Sequence, residues 1–228
     1  ADMIEAVAFD LDDTLVMERD YVRSGFAAVA AELDHLFGPR CDWFACLWRG
    51  FEAGVRGDTF NRVLAAAGVT VDDELIARLV RCYREHEPQI ALCDDVLPAL
   101  RRLGLPQERL GVITDGPLAT QQRKAGAVGL EHVVGCVIFT DRWGMAYWKP
   151  HPRAFEEFER WTGCSPESCA YVADNPTKDF SSPHARGWTA VRIARPGGLH
   201  SAEAATADEV DHTIDTLADL PAVLGLER

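Results

Sequence analysis

Two carboxylates separated by one residue follow a short apolar run near the start of the chain. The run Ala6–Phe9 leads directly into Asp10, Leu11 and Asp12. In an extended turn, Asp10 and Asp12 can point to the same side and share one cation, which would offset the repulsion between them. A site built only from oxygen ligands suits Mg²⁺. On these residues alone, the alternative is that Asp12 and its neighbours cap a turn or a helix.

Two other apolar runs also end in polar side chains. Leu110–Ile113 is followed by Thr114, and Ala170–Ala173 is followed by Asp174. Because open α/β sheets hold their ligands beyond the carboxyl ends of the strands, we expect these groups to meet Asp10 at one edge. Each could be a turn or cap residue when taken singly. Together, the carboxylates and the hydroxyl predict a site for a metal and a phosphate.

The elements that would position these side chains alternate between short apolar strands and helices. Strands are predicted at 6–9, 110–113, 135–139, 170–173 and 189–194. Helices are predicted at 96–103, 117–128, 152–161, from about 178 to 185, and 214–224. This alternation predicts an α/β fold with a doubly wound parallel sheet.

A long helical block separates the first strand from the rest of this pattern. Apolar residues at helical spacing predict helices at 21–37, 41–53, 59–67 and 72–85, with no strand between them. We therefore predict a core domain of residues 1–17 and 92–228 and an inserted helical domain of residues 18–91. The connections would lie near 16–19 and 91–95.

Composition limits the classes of partner. The 228 residues carry a formal net charge of −13 and no basic run, so nucleic acid is an improbable partner, whereas a small phosphate can be held by a metal and local cations. No apolar stretch is long enough to span a membrane, and the first residues lack the features of a signal peptide. Seven cysteines without a CxxC pair are typical of a reducing compartment. We expect a cytoplasmic protein, of unknown oligomeric state, that has no membrane partner.

Four segments of the chain resemble the motifs of one family in the family's order. Phe9–Leu15 resembles the first motif of the haloacid dehalogenase-like (HAD) hydrolases, an apolar strand followed by DxDxT. Thr114–Gly116 is similar to the second motif, Lys149–Phe155 to the third, KPxPxxF, and Val172–Phe180 to the fourth. The resemblance covers nearly the whole chain. It implies a Rossmann-like core with a helical cap inserted between the first two motifs.

The chain departs from the family pattern at two points. Ala173 stands where the fourth motif usually has glycine, and the loop from Gly144 to Lys149 is a couple of residues longer than the common spacing. Because of the longer loop, the position of Lys149 follows less directly from the family pattern than the positions of Asp10 and Asp174.

The resemblance also implies roles for individual residues. The implied catalytic residues are Asp10 as nucleophile, Asp12 as general acid and base, and Lys149. The implied phosphate-binding residues are Thr114, Asp115, Gly116 and Lys149. The implied metal ligands are Asp10, Asp12 and Asp174, with Asp179 supporting Asp174 or Lys149 from behind. In the cap, Arg56 lies beside Gly54 and Gly57 and is the first candidate for substrate specificity.

These roles imply an Mg²⁺-dependent phosphatase that forms an aspartyl phosphate on Asp10. Its substrate would be a small phosphorylated metabolite, such as a sugar phosphate or a nucleoside monophosphate. Dehalogenation is the weaker alternative because it does not need Asp12. A phosphomutase of the same superfamily stays open, since it uses the same residues. A third alternative is a catalytically idle relative that only binds a phosphometabolite or a protein.

Overall fold

The computed structural model describes residues 3–204 and 208–227 and divides the chain into two compact units. One unit comprises Ala1–Arg19 together with Ile90–Arg228, and the other comprises Asp20–Gln89. The first unit contains all six strands of the described residues, and the second is helical. No helix among the described residues has the length and apolarity needed to cross a membrane.

The first unit is built on one parallel sheet. Its strands are β1 (Ala6–Phe9), β2 (Leu110–Thr114), β3 (Cys136–Phe139), β4 (Cys169–Ala173), β5 (Thr189–Ile193) and β6 (His212–Ile214). Their order across the sheet is β3-β2-β1-β4-β5-β6, and every neighbouring pair is parallel. The chain extends the sheet from β1 in one direction and then returns to extend it in the other. β1 therefore lies at the point where the strand order reverses, which is where open α/β sheets form ligand crevices.

Helices cover both faces of this sheet, as the alternation of elements predicted. The α-helices of the described chain are α1 (Glu18–Phe37), α2 (Trp43–Glu52), α3 (Thr59–Ala66), α4 (Asp73–Glu85), α5 (Val96–Leu103), α6 (Leu118–Ala127), α7 (Arg153–Thr162), α8 (Ser181–Arg186) and α9 (Leu220–Val223). Alternate residues of a strand point to opposite faces, so Val7 and Phe9 enter one core while Ala6 and Ala8 enter the other. Residues from α5, α6 and α9 belong to the first core, and residues from α7 belong to the second. Both faces of β1 are thus fully buried, which explains its unbroken apolar sequence.

The second unit has its own apolar core. Helices α1 to α4 contribute buried residues such as Phe26, Leu33, Leu47, Leu64 and Leu79. The four helices match the predicted periodicities, apart from one to three residues at some ends. Tyr21 belongs to α1, which begins at Glu18, three residues earlier than predicted. The early start follows from Asp13, whose Oδ1 accepts a hydrogen bond of 2.9 Å from the Glu18 backbone N–H.

The predicted first residue was wrong for two helices. The predicted last helix would begin at Ile214, but residues 212–214 form β6 and pair with β5, where Ile214 lies opposite Ile193. The helical turn begins only after Thr216, and α9 starts at Leu220 with a proline in its first turn. The spacing of apolar residues predicted a helix from Ile214, but pairing with the open edge of β5 makes this segment a strand.

The second wrong start concerns the helix expected from about Lys178. Residues 175–179 instead form a tight turn, in which Asn175 Oδ1 accepts a hydrogen bond of 2.9 Å from the Thr177 backbone N–H. Helix α8 follows only at Ser181. The turn leaves Lys178 outside the helix.

Candidate active site

Asp10 lies at the carboxyl end of β1 and is almost completely buried. Its backbone N–H donates to the Val172 carbonyl at 2.8 Å, which continues the pairing of β1 with β4. Its side-chain Oδ1 accepts a hydrogen bond of 2.7 Å from Lys149 Nζ. Burial raises the pKa of Asp10 to about 6, although the Lys149 ammonium opposes this shift. The carboxylate is therefore mostly ionised at neutral pH.

Lys149 is the buried cation of the site, despite the longer loop before it. Its side chain is inaccessible to solvent, and Nζ also lies 2.8 Å from Asp179 Oδ1 and 2.9 Å from the Tyr171 hydroxyl. Burial by itself would lower the pKa of Lys149, but the carboxylates of Asp10 and Asp179 outweigh that effect and raise the pKa well above its ordinary value. Lys149 stays charged over the physiological range.

Three carboxylates converge beside this ammonium. Asp10, Asp174 and Asp179 each offer an oxygen atom, and these oxygens lie within 4.8 Å of one another. Burial raises the pKa of Asp174 to about 9, and the neighbouring Asp10 and Asp179 carboxylates add to the shift. A further cation would allow all three carboxyl groups to ionise, so the group favours cation binding. Oxygen ligands of this kind fit a hard divalent ion.

The side-chain oxygens near Asp10 and Asp174 come from Asp179 and not from Asp12. Asp179 was expected behind the ligands, but its carboxylate belongs to the group of three. Asp12 was expected as a ligand, but it does not belong to that group, because its carboxylate is hydrogen-bonded by residues of α6. Both still lie close to Asp10 in the fold, since Asp12 lines the same cavity and Asp179 shares Lys149 with Asp10.

Asp12 is the centre of a second network, in which Lys124 and Gln121 are buried and the side chains of Asp12 and Glu18 are partly exposed. Lys124 Nζ lies 2.7 Å from Asp12 Oδ1 and 2.7 Å from Glu18 Oε2, and Gln121 Nε2 donates to Asp12 Oδ2 at 3.0 Å. Burial would raise the pKa of Asp12, but the Lys124 ammonium and the hydrogen bonds from its neighbours hold that pKa below its ordinary value. Burial and the Asp12 carboxylate raise the pKa of Glu18 to about 8. Near neutral pH Glu18 is therefore protonated and Asp12 is ionised.

Thr114, Asp115 and Gly116 follow β2 and form the neighbouring wall. The Thr114 hydroxyl accepts a hydrogen bond of 2.7 Å from Gln121 Nε2. The Asp115 carboxylate accepts from the Thr140 hydroxyl at 2.8 Å and the Lys149 backbone N–H at 3.1 Å. Asp115 thus orients its neighbours through its side chain, and a phosphate contact from this residue would come from its backbone.

Gly116 is required by the path of the chain at this turn. Its φ of +122° is a conformation that residues with a side chain rarely adopt. A Cβ atom here would also lie 3.2 Å from the Gln121 side chain. The glycine therefore permits both the turn and the close packing of α6 beneath it.

A cavity of about 80 Å³ joins these groups at the strand ends. It is lined by Asp10, Asp12, Asp13, Glu18, Asp115, Asp174, Asn175, Lys178, Leu199 and His200. At about 30 Å³ per water molecule, it has room for a group of a few heavy atoms. That is the scale of a cation or a phosphoryl group.

Sequence reasoning assigned no role to several residues of this site. Lys178 Nζ lies 3.1 Å from Asp115 Oδ2, and His200 lies 3.1 Å from the Asn175 side-chain nitrogen. Glu18, Gln121 and Lys124 form the Asp12 network described above.

The rarity of lysine in the composition could have drawn attention to these residues. The chain contains only three lysines, Lys124, Lys149 and Lys178, among 23 basic residues, and all three contact carboxylates of the site. The remaining basic residues are arginines, so the compact ammonium group is confined to this place.

Arg56 belongs to the helical unit. Its Nη1 donates to the carbonyls of Phe51 and Val55, both at 2.9 Å, and its guanidinium lies 4.2 Å from the centre of the Phe51 ring. These contacts give the side chain a defined local position. A specificity role for Arg56 stays a prediction.

Comparisons with known proteins identify the family of the chain. The family model for haloacid dehalogenase-like hydrolases matches residues 4–185. The chain belongs to the haloacid dehalogenase-like hydrolases. A glyceraldehyde 3-phosphate phosphatase from Methanopyrus kandleri is 30% identical over 236 residues, covering 96% of each chain. A phosphoserine phosphatase from Thermus thermophilus is 28% identical and covers 84% of this chain and 89% of its own length.

A solved structure of the same family shows the shared fold. A HAD family hydrolase from Deinococcus radiodurans, solved with bound phosphate and sodium, superposes with a TM-score of 0.67, 22% identity and coverage of 98% of this chain and 97% of its own. The family resemblance in the motifs is thus confirmed, as is the Rossmann-like α/β fold class. Family membership and the phosphatase relatives make this HAD protein a hydrolase of the phosphatase type.

Proposed function

We propose that this HAD hydrolase cleaves small phosphomonoesters through a phosphoryl group carried transiently on Asp10. The observation that carries the proposal is the pairing of Asp10 with the buried Lys149 at 2.7 Å, at the end of the central strand. An ionised carboxylate in this position is a nucleophile, and the ammonium offsets the charge that accumulates on the phosphoryl oxygens. Two further carboxylates beside it supply the rest of a metal site.

Mg²⁺ is the proposed cofactor, held by Asp10, Asp174 and Asp179. The fit rests on the all-oxygen donor set and on the crowding of Asp10 and Asp179 around Asp174, which adds to the effect of burial in raising the pKa of Asp174. When bound, the ion would neutralise charge on the transferring phosphoryl group and help to orient it. A solved HAD hydrolase from Bacillus subtilis is described as bound to magnesium, which supports this choice of metal.

In the first half of the proposed reaction, a carboxylate oxygen of Asp10 attacks phosphorus opposite the ester oxygen. The new Asp10 oxygen–phosphorus bond forms as the ester phosphorus–oxygen bond breaks. The departing alkoxide takes a proton from Asp12 acting as general acid. Asp12 receives this proton beforehand from Glu18, which shares Lys124 with Asp12 and holds a proton up to about pH 8.

In the second half, Asp12 acts as general base. It accepts a proton from a water molecule whose oxygen attacks the phosphorus of the aspartyl phosphate. The bond between phosphorus and the Asp10 oxygen breaks, which releases inorganic phosphate and restores the Asp10 carboxylate. The proton gained by Asp12 is the one needed for the next leaving group.

The wall after β2 is the proposed cradle for the phosphoryl oxygens. Thr114 offers its hydroxyl, and the backbone N–H groups of Asp115 and Gly116 lie just before the start of α6. A helix start favours an anion because its first N–H groups lack partners within the helix. Lys149, which contacts Asp10, and Lys178, which contacts Asp115, add positive charge.

The proposed substrate is a short phosphorylated metabolite, and the helical unit is its proposed cap. Relatives at 28–30% identity are named for glyceraldehyde 3-phosphate and for phosphoserine, both of which are three-carbon phosphomonoesters. Sugar phosphates and nucleoside monophosphates are the larger members of the same class. Arg56 is the cap residue proposed to contact the organic part of the substrate.

Phosphate release from a panel of substrates tests the proposal. Glyceraldehyde 3-phosphate, phosphoserine, glucose 6-phosphate, adenosine monophosphate and p-nitrophenyl phosphate should be compared with Mg²⁺ and with EDTA. We expect Mg²⁺-dependent release that is fastest with a short alkyl phosphate. Full activity after chelation would exclude the metal, and conversion of a sugar phosphate to its isomer without phosphate release would indicate a mutase. No release from any substrate would refute the phosphatase.

The seven cysteines are relevant to the cellular location of the enzyme. All are free thiols, and Cys164 and Cys169 are buried. Free thiols are typical of proteins in a reducing compartment, which supports the cytoplasm as the proposed location.

A further inference from the structure

Both carboxylate oxygens of Asp12 are held by the same helix. Lys124 Nζ lies 2.7 Å from Oδ1, and Gln121 Nε2 donates to Oδ2 at 3.0 Å. Gln121 and Lys124 are three residues apart on α6 and therefore lie on one face of it. Each is only 2% exposed. The two contacts fix the rotation of the carboxylate as well as its position.

The same helix also contacts the wall after β2. The Gln121 amide nitrogen that donates to Asp12 also donates to the Thr114 hydroxyl at 2.7 Å. The Gln121 side chain packs closely against Gly116, where an added Cβ would lie only 3.2 Å from it. One side chain thus links the proposed general acid with the proposed phosphate cradle.

The distribution of lysine points to Lys124 independently of these distances. The other two lysines of the chain contact Asp10 and Asp115, so every lysine contacts a carboxylate of the site. Lys124 is the one whose carboxylate partners are Asp12 and Glu18. A structural role on α6 could equally use arginine or an apolar residue, both of which are abundant in this chain.

Stability alone accounts poorly for a buried ammonium at this place. Replacing a buried ion pair with apolar residues is often neutral or stabilising, because removing the charges from water costs about as much as the pair gains. What the pair does supply is a fixed orientation. Proton transfer requires heavy atoms about 2.6–3.2 Å apart, and a misplacement of about 1 Å can cost roughly 10²-fold in rate.

We propose that Lys124 and Gln121 are positioning residues that aim the Asp12 carboxylate at the leaving-group oxygen. The inference rests on the proposed function, because it assigns these residues to the proton transfer of that reaction. Neither residue needs to touch the substrate. Their effect should therefore appear wherever the leaving group needs a proton and be small where it does not.

The test compares two substrates that differ in this need. An alkyl phosphate such as glycerol phosphate releases a strongly basic alkoxide, whereas p-nitrophenyl phosphate releases a stable nitrophenolate. The ratio kcat/KM reports the steps through formation of the phosphorylated enzyme, so it isolates the first proton transfer. Lys124→Met and Gln121→Leu should lower kcat/KM for the alkyl phosphate by roughly 10²-fold and for the aryl phosphate by less than about threefold.

Matched controls lie beside both residues on the same helix. Gln122 and Arg123 are exposed, so Gln122→Leu and Arg123→Met repeat the chemical changes away from Asp12 and should leave both substrates unaffected. Asp12→Asn removes the proposed general acid itself, so it should show the largest fall in kcat/KM for the alkyl phosphate relative to the aryl phosphate. Lys124→Met leaves Asp12 and Glu18 without their shared cation and could therefore fail to fold. In that case the double variant Lys124→Met with Glu18→Gln replaces it, because glutamine cannot carry the negative charge of Glu18. Gln121→Leu changes no formal charge and decides the question if neither Lys124 variant folds.

The outcomes separate the inference from the function on which it rests. A selective loss in the α6 variants supports the positioning role. An equal fall for both substrates, or no fall, beside a selective loss in Asp12→Asn overturns the positioning role and leaves the phosphatase intact. A wild-type enzyme that hydrolyses neither substrate, nor any other phosphomonoester, overturns both.

Discussion

Replacing Lys149 with methionine should destabilise the protein strongly. The side chain of Lys149 is inaccessible to solvent and lies within 2.8 Å of two carboxylates, Asp10 and Asp179. Without the ammonium, the carboxylates of Asp10 and Asp179 would stay buried next to each other and lose their shared ion-pair partner. Removing one partner of a buried ion pair typically costs about 3–5 kcal/mol. At about 2–4 °C per kcal/mol for a protein of this size, Tm should fall by about 6–20 °C.

Thermal and urea unfolding in EDTA measure this effect. Lys178→Met is the matched comparison, because its side chain is 35% exposed and makes one ion pair at 3.1 Å, so its loss should cost only about 1 kcal/mol. The double variant Lys149→Met with Asp179→Asn should recover part of the lost stability, since it removes one of the uncompensated charges. Mg²⁺ should likewise stabilise Lys149→Met more than wild type. An unchanged Tm in Lys149→Met would refute the view that its ammonium compensates the buried carboxylates.

Three further predictions follow from the same contacts. Asp10→Asn should lower kcat by more than roughly 10³-fold while the folded protein keeps its circular dichroism spectrum, and a rate near wild type would move the nucleophile elsewhere. The carboxyls of Asp10, Glu18 and Asp174 have pKa values raised to about 6, 8 and 9, so the folded metal-free protein binds more protons than the unfolded chain above about pH 4. Its Tm in EDTA should fall as pH rises from 5 to 9, and Mg²⁺ should bind more tightly over the same range by displacing the proton on Asp174; calorimetry that shows pH-independent affinity would contradict this. Arg56→Ala should lower kcat/KM for the best alkyl phosphate far more than for p-nitrophenyl phosphate, and equal effects would remove Arg56 from the substrate contacts.

The fold class and the ends of the principal strands could be predicted from the sequence alone. Buried parallel strands need continuous apolar residues, and such runs stand out in the segments before Asp10, Thr114 and Asp174. The order of motifs also identified the family, and that family is confirmed. Local signals sufficed because each of these features is encoded within about ten neighbouring residues.

The tertiary structure decided which side chains meet. Asp12 and Lys124 are 112 residues apart in the sequence, and no local pattern predicts that the second lies 2.7 Å from the first. The turn at 175–179 brings Asp179 into the group of carboxylates, a contact with Asp10 that joins segments far apart in the sequence. The strand at 212–214 likewise exists only because β5 offers it an edge. Pairing between distant segments depends on the complete packing of the sheet and its helices, so hydrogen-bond partners, buried charges and their shifted pKa values are properties of the folded chain and not of any segment within it.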